Sequence, residues 1–113
     1  MRMIAIGALL LLAACEKPST EAYVRATEKL ALIVERHERD CTSMGRALKR
    51  FIEKEGGAIR DYQAHQNRLP KKHRAKLEAR PYGPRLRRAM ERMVPGHQRC
   101  LEHDAVREAF LLL

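Results

Sequence analysis

The feature that most constrains the fold is a row of apolar or semi-apolar side chains that recurs every three or four positions through the first half of the chain. Glu, Lys and Arg residues fill most of the positions between them. This spacing predicts an amphipathic helix with one apolar face. The row consists of Tyr23, Ala26, Leu30, Ile33, His37, Cys41, Met44, Leu48, Phe51 and Ile52.

The row predicts a single unbroken helix over residues 20–55, ended by Gly56-Gly57 because glycine commonly terminates helices. An alternative interpretation breaks this helix at residues 40–43, where Asp, Cys, Thr and Ser follow one another. Asp, Thr and Ser are favourable N-cap residues. The spacing of the row also widens here, since Ile33, His37 and Cys41 are each four positions apart.

Shorter helices are predicted to follow. We expect one within residues 58–68, one over 71–79 after Pro70, and one that begins at Pro84 and is kinked or ended by Pro95-Gly96. A turn or short helix over 97–101 holds Cys100, and a last helix over 105–112 is capped by Asp104. No window alternates as a strand does. The predicted inward residues are Leu86, Met90, Met93 and Val94 in the Pro84 helix and Val106, Ala109, Phe110 and Leu113 at the end.

The fold class predicted from these patterns is all-α. A long N-terminal helix packs against shorter return helices in a small bundle, which one disulfide is expected to cross-link.

A short apolar segment precedes the helical part. Met1-Arg2 is followed by an uncharged run that ends at Ala14, directly before Cys15. The run is shorter than the about 20 residues of a membrane-spanning helix. A basic start, a short apolar stretch and small residues at its end are typical of a secretory signal peptide. Alternatives are a buried first helix or a signal peptide with a chance cysteine.

The sequence Leu12-Ala13-Ala14-Cys15 resembles a bacterial lipobox. The resemblance implies cleavage before Cys15, attachment of lipid such as palmitate to its sulfur, and a protein held at the periplasmic side of a bacterial membrane. It divides the chain into a signal peptide at 1–14, a short lipid-anchored tether at 15–19 and one helical domain at 20–113. Glu16 is not the Asp that retains enteric lipoproteins in the inner membrane, so the outer membrane is favoured.

Two cysteines remain beside the predicted lipidation site. Cys41 and Cys100 are an even pair without CxxC spacing, and in an oxidising periplasm such a pair predicts one disulfide. Two free buried thiols are the alternative. A metal site is a third possibility, because three histidines lie close to these cysteines in the sequence. Its candidate ligands are His37, Cys41, His97, Cys100 and His103.

The positive charge is concentrated in one segment. Residues 68–88 contain nine Lys or Arg residues and one Glu, so they hold +8 of the net charge of +9. Such a block faces solvent or an anionic partner. Expected partners are the membrane itself, anionic lipid, lipopolysaccharide, a cell-wall polymer or an acidic protein. Nucleic acid is not expected for an exported protein. The candidate anion-binding residues are Arg74, Lys76, Arg80, Arg85, Arg87 and Arg88.

Two further resemblances concern the helical part. As a whole it is similar to uncharacterised small helical lipoproteins of Gram-negative bacteria, in which a first Cys on a long helix and a second before a terminal helix recur. That similarity implies a fold and a disulfide but no activity. Residues 69–77 resemble the Leu-Thr-x-x-Gln-Arg segment of small periplasmic helical chaperones and metal sensors, with Pro70 and His73 in place of Thr and Gln.

These observations favour a non-enzymatic lipoprotein without a cofactor. No GxSxG, HExxH, CxxC or phosphate-loop sequence is present. The first hypothesis is a membrane-anchored basic helical module that binds an anionic envelope component. The alternatives are a periplasmic metal-binding or stress-chaperone protein and a purely structural lipoprotein.

Overall fold

The computed structural model describes residues 19–71 and 77–113. Within these ranges the chain forms four helices and no strand: α1 is Thr20–Arg36, α2 is Cys41–Asn67, α3 is Tyr82–Cys100 and α4 is Asp104–Leu111. The helix α1 packs against both α2 and α3, and α4 packs against α2. The predicted all-α bundle is therefore confirmed.

The prediction of one unbroken helix over 20–55 is wrong, because the chain turns at residues 37–40. The His37 N–H donates to the Ile33 carbonyl at 3.2 Å, and the Asp40 N–H donates to the His37 carbonyl at 2.9 Å. The Asp40 carboxylate then accepts from the Ser43 N–H at 3.0 Å and from the Ser43 hydroxyl at 2.8 Å. Asp40 thus caps α2, as in the alternative interpretation, by satisfying a backbone donor that the first helical turn leaves free.

The turn lets α1 and α2 pack antiparallel. The rings of Tyr23 and Tyr62 stack with centroids 4.4 Å apart, and Lys29 Nζ lies 2.8 Å from Glu55 Oε1. The hydroxyls of Thr20 and Tyr62 are 3.1 Å apart although 42 positions separate them in the sequence. In one continuous helix such residues would lie about 60 Å apart. The turn is therefore what allows the two halves of the apolar row to bury each other.

The predicted helix end at Gly56-Gly57 is also wrong. The helix α2 continues to Asn67 and includes the segment predicted as a separate helix at 58–68. No described glycine has the positive φ of a helix-terminating glycine. Gly56 is buried between Ile52 and Ile59, and Tyr62 is also buried. The apolar face thus extends across the glycines, and burial of that face outweighs their low helix propensity.

The helix α3 faces the core with a different side from the predicted one. Its buried positions are Gly83, Ala89, Gly96 and Cys100. Met93 packs against the core as predicted, whereas Met90 and Val94 are 57% and 47% exposed.

Gly96 explains this difference. A Cβ atom at Gly96 would lie 2.7 Å from Val34 Cγ1 and 2.9 Å from the Val34 carbonyl oxygen, so α3 approaches α1 through small residues. Pro95-Gly96 does not end the helix, which continues through the predicted turn at 97–101 to Cys100.

The last helix confirms its predicted inward face. Val106 and Ala109 are buried, and Phe110 and Leu113 pack partly buried against the core. The helix α4 starts at Asp104 with His103 in the cap position, so Asp104 is not the N-cap. Asp104 instead accepts a hydrogen bond from Arg107 at 2.8 Å.

The core lies between α1, α2 and α4 and reaches the end of α3. Its members come from all four helices, and the disulfide closes one end of it. Cys41 and Cys100 are joined with their Cα atoms 5.3 Å apart, which confirms the predicted disulfide between the first residue of α2 and the last residue of α3. The buried core residues are Ala26, Leu30, Val34, Met44, Leu48, Phe51, Ile52, Ile59, Cys100, Val106 and Ala109.

Reducing the disulfide is expected to lower the free energy of unfolding by about 2–4 kcal/mol. The bond closes a loop of 59 positions and so restricts the unfolded chain. Urea unfolding of a chain of residues 19–113, with and without reductant, measures the effect. The Cys41→Ala/Cys100→Ala variant is the control and should not respond to reductant. Identical curves for the unsubstituted chain in both conditions would contradict the prediction.

Two glycines of α2 are expected to respond oppositely to alanine. A Cβ at Gly45 would lie 2.5 Å from Ala105 Cβ and 2.7 Å from the Ala105 carbonyl carbon, whereas a Cβ at Gly57 meets nothing within 4 Å. Gly57→Ala should therefore stabilise the protein by up to about 1 kcal/mol through helix propensity. Gly45→Ala should destabilise it by about 1–2 kcal/mol because α4 must move away. Urea unfolding of both variants checks this, and a stabilised Gly45→Ala variant would refute the close α2–α4 contact.

Candidate anion-binding surface

The basic segment at 68–88 is divided by the structure. Residues 72–76 lie outside the described ranges, and with them the candidates Arg74 and Lys76 and most of the helix predicted at 71–79. Four candidates remain at the start of α3. They are Arg80, Arg85, Arg87 and Arg88.

Arg85 is engaged within the protein. Its Nη1 lies 2.9 Å from Glu21 Oε2, its Nη2 lies 2.5 Å from Glu28 Oε1, and its side chain is only 25% exposed. Arg25 Nε adds a contact of 2.9 Å to Glu21 Oε1. Two carboxylates of α1 therefore neutralise Arg85, which connects α3 to α1 and is unsuited to hold an external anion.

The charges of this cluster shift the pKa values of its members. Hydrogen bonding from Arg85, supported by Arg25, lowers the pKa of Glu21 below its ordinary value. Hydrogen bonding to Glu28 and Glu21 raises the pKa of Arg85. Glu21 therefore stays ionised in the folded protein at a pH where it would already protonate in the unfolded chain.

The other three arginines lie together on the surface. Arg80, Arg87 and Arg88 are exposed and line one shallow depression, with Glu91 at its edge. Among the described residues, no carboxylate forms an ion pair with any of these three arginines. Pro81 and Pro84 form the remaining wall of the depression and restrict the backbone there.

This arrangement is suited to an anion with several oxygen atoms. A guanidinium group donates two parallel hydrogen bonds to a phosphate or carboxylate, and three such groups share one depression here. The first turn of α3 contains no acidic residue, so the partial positive charge of the helix N-terminus adds to theirs. A second depression, lined by Arg85, Arg88, Arg92 and Glu28, extends the basic surface along the helix.

The alternative metal ligands do not form a ligand set in the structure. Cys41 and Cys100 are disulfide-bonded, so neither sulfur is a thiolate. His97 lies edge-on to Phe110 at 5.8 Å, and His103 Nε2 is 3.4 Å from the Thr42 hydroxyl. Within the part of the chain that the structure describes, no three His, Cys, Asp or Glu side chains are grouped so that they could hold a metal ion. The fifth candidate, His37, is the C-cap of α1.

Sequence reasoning found the apolar row of α3 but assigned it to the core. Leu86, Met90 and Val94 line an open groove together with Leu77, on the side of the helix away from the core. The signal that would have corrected this assignment is the recurrence of small residues at Ala89, Gly96 and Cys100, which marks a different side of the helix as the closely packed one.

No protein-family model, curated protein or solved structure matches this chain. Among the described residues, no helix is both long and apolar enough to cross a membrane. The predicted signal peptide at 1–14, the lipidation site Cys15 and the tether up to residue 18 lie outside the described ranges.

The Arg85 cluster makes stability depend on pH. The lowered pKa of Glu21 contributes stability above its ordinary pKa near 4, and this contribution is lost as the pH falls through the lowered value. Arg85→Gln should therefore lower the melting temperature at pH 7. It should also make the fall in melting temperature between pH 5 and pH 3 smaller than in the unsubstituted protein. Arg87→Gln removes the same charge from an exposed, unpaired position and should change neither quantity. Equal melting curves for the two variants at every pH would show that the cluster contributes nothing.

Proposed function

We propose that this protein is a non-enzymatic, membrane-anchored periplasmic lipoprotein that binds an anionic component of the cell envelope. The binding surface consists of Arg80, Arg87 and Arg88, and we name it the arginine surface. The observation that supports it most is that these three exposed arginines line one depression and form no ion pair with a described carboxylate. In a protein whose Arg85 is doubly paired, this contrast favours a surface open to an external anion.

The proposed compartment is supported by two independent features. The lipobox-like sequence at 12–15 ends an apolar run of signal-peptide length. The disulfide Cys41–Cys100 is typical of proteins in an oxidising compartment such as the periplasm. We propose the outer membrane as the location because Glu16 follows the lipidation site. The intact mass of the protein extracted from its own membrane tests this part: it should begin at Cys15 and include added acyl mass.

The proposed ligand chemistry follows from the charge of the envelope. Phosphate groups of phospholipids and of lipopolysaccharide and carboxylates of wall polymers all accept hydrogen bonds from guanidinium groups. A basic residue near an anionic lipid surface contributes about 1 kcal/mol to binding. Glu91, at the edge of the depression, opposes this attraction in part.

Removing the arginine surface is expected to weaken binding to anionic vesicles by about two orders of magnitude. The test uses residues 19–113 with Arg80, Arg87 and Arg88 replaced by Gln, and vesicles of phosphatidylcholine with or without phosphatidylglycerol. Binding should also weaken with salt, since exposed charges are screened over about 8 Å at physiological ionic strength.

The matched control removes three charges from α2. Arg46, Lys49 and Arg50 are exposed, so the triple Gln variant at these positions has the same net charge. It should keep most of the affinity. Equal loss in both variants would show that net charge alone drives binding, and full affinity of the first variant would reject the arginine surface.

A further inference from the structure

The exposed side of α3 displays a continuous apolar row beside the arginine surface. Leu86, Met90 and Val94 follow one another at four-residue spacing, and Leu77 extends the row at one end. Met90 is 57% exposed and Val94 47% exposed. Leu86 is half-buried. Single exposed apolar residues are common, but two exposed ones in line with a half-buried third form a patch that signals an interaction.

Packing holds this row outside the bundle. A different side of α3 contacts α1 through Gly96, which leaves no space for a Cβ atom beside Val34. The disulfide at Cys100 fixes one end of α3, and the paired guanidinium of Arg85 fixes the other. The helix therefore cannot rotate to bury Met90 without breaking these contacts.

Charge beside the row indicates what kind of surface covers it. Arg87 lines the apolar groove, and Arg80 and Arg88 share the adjoining depression with it. Two carboxylates, Glu78 and Glu91, line the groove as well. The excess of positive charge lies in the adjoining depression, where Arg80, Arg87 and Arg88 outnumber Glu91. An apolar row bordered by arginines is typical of helices that lie at the boundary between lipid headgroups and acyl chains.

The predicted anchor site is within chain reach of the start of α3. Arg85 contacts Glu21 at 2.9 Å, so the start of α3 is adjacent to the start of α1, where the described chain begins at Ser19. Only four positions separate Ser19 from Cys15. At about 3.5 Å per residue, a lipid on Cys15 attaches within about 14 Å of Ser19. A lipid on Cys15 would therefore hold the start of α3 near the bilayer.

We propose that Leu86, Met90 and Val94 insert into the headgroup–acyl boundary of an anionic bilayer, with α3 lying in the membrane plane beside the lipid anchor. This inference rests on the proposed function and deepens it, since it names the phospholipid bilayer as the anionic component. The apolar row and the arginine surface act together, because apolar burial and attraction to anionic lipid both strengthen the binding of an interfacial helix.

The test uses the absence of tryptophan from the chain. Met90→Trp places one fluorophore on the row, and Leu32→Trp places one at an exposed apolar position of α1 that is 37% exposed. Each variant is produced in cells, recovered from their membranes in its processed form, and reconstituted into vesicles containing phosphatidylglycerol and lipid brominated on its acyl chains. An unchanged melting temperature shows that each variant is folded.

The expected result is a blue shift and a loss of fluorescence by bromine quenching for Met90→Trp, with little of either for Leu32→Trp. Adding the Gln substitutions of Arg80, Arg87 and Arg88 should reduce the quenching. Equal quenching of both variants, or none, would overturn the insertion of α3. A blue shift that depends on protein concentration without quenching would assign the row to contact between two copies instead, and also overturn it.

The two proposals can fail separately. If residues 19–113 bind anionic vesicles through the arginine surface while Met90→Trp is not quenched, the proposed function stands and insertion is rejected. If the arginine surface does not affect binding and quenching is the same in neutral and anionic vesicles, both the proposed function and the anionic part of this inference are rejected.

Discussion

The rest of the structure depends on the turn at residues 37–40, which Asp40 closes by capping α2. Because the chain reverses there, the two halves of one apolar row face each other, and Val34 and Met44 both come to lie beside Gly96 of α3. The reversal also makes Cys41 the first residue of α2, at the end of the bundle where α3 finishes with Cys100. An uninterrupted helix would leave the apolar row without a partner of its own length. The two carboxylate oxygens of Asp40, by capping α2, thus position the core and the disulfide.

The orientation of α3 follows from three restraints of different kinds. The disulfide holds its last residue, Cys100, and ion pairs with two carboxylates of α1 hold Arg85 near its start. Between these two points, the absence of a side chain at Gly96 lets α3 approach α1 closely. None of these involves the largest apolar residues of the helix. Among the described helices, α3 packs mainly against α1. Met90 and Val94 therefore stay exposed, while Met93 and the small residues Ala89 and Gly96 face the packed side.

The sequence predicts the fold class, the disulfide and the inward face of α4 because each depends on local spacing or on a simple pairing of two cysteines. It does not decide between the unbroken helix and the capped turn, since both satisfy the same spacing and only tertiary burial separates them. It assigns the wrong side of α3 to the core, because a prediction from periodicity takes the large apolar residues as the buried ones. Where two helices pack closely, glycine and alanine occupy the contact instead. It lists Arg85 with Arg87 and Arg88 because charge alone does not reveal which arginine meets Glu21 and Glu28.

The division among these arginines has a functional consequence. If every arginine of this segment were ion-paired, the segment would only stabilise the fold. If none were ion-paired, nothing would fix the position of the segment on the protein. Here Arg85 fixes the helix that carries Arg87 and Arg88, so the backbone at these positions is held in place while no described carboxylate neutralises their side chains. A backbone held in position loses less conformational freedom on binding than a mobile one, which favours affinity. The ion pairs between Arg85 and α1 therefore support the arginine surface even though Arg85 takes no part in the proposed anion binding.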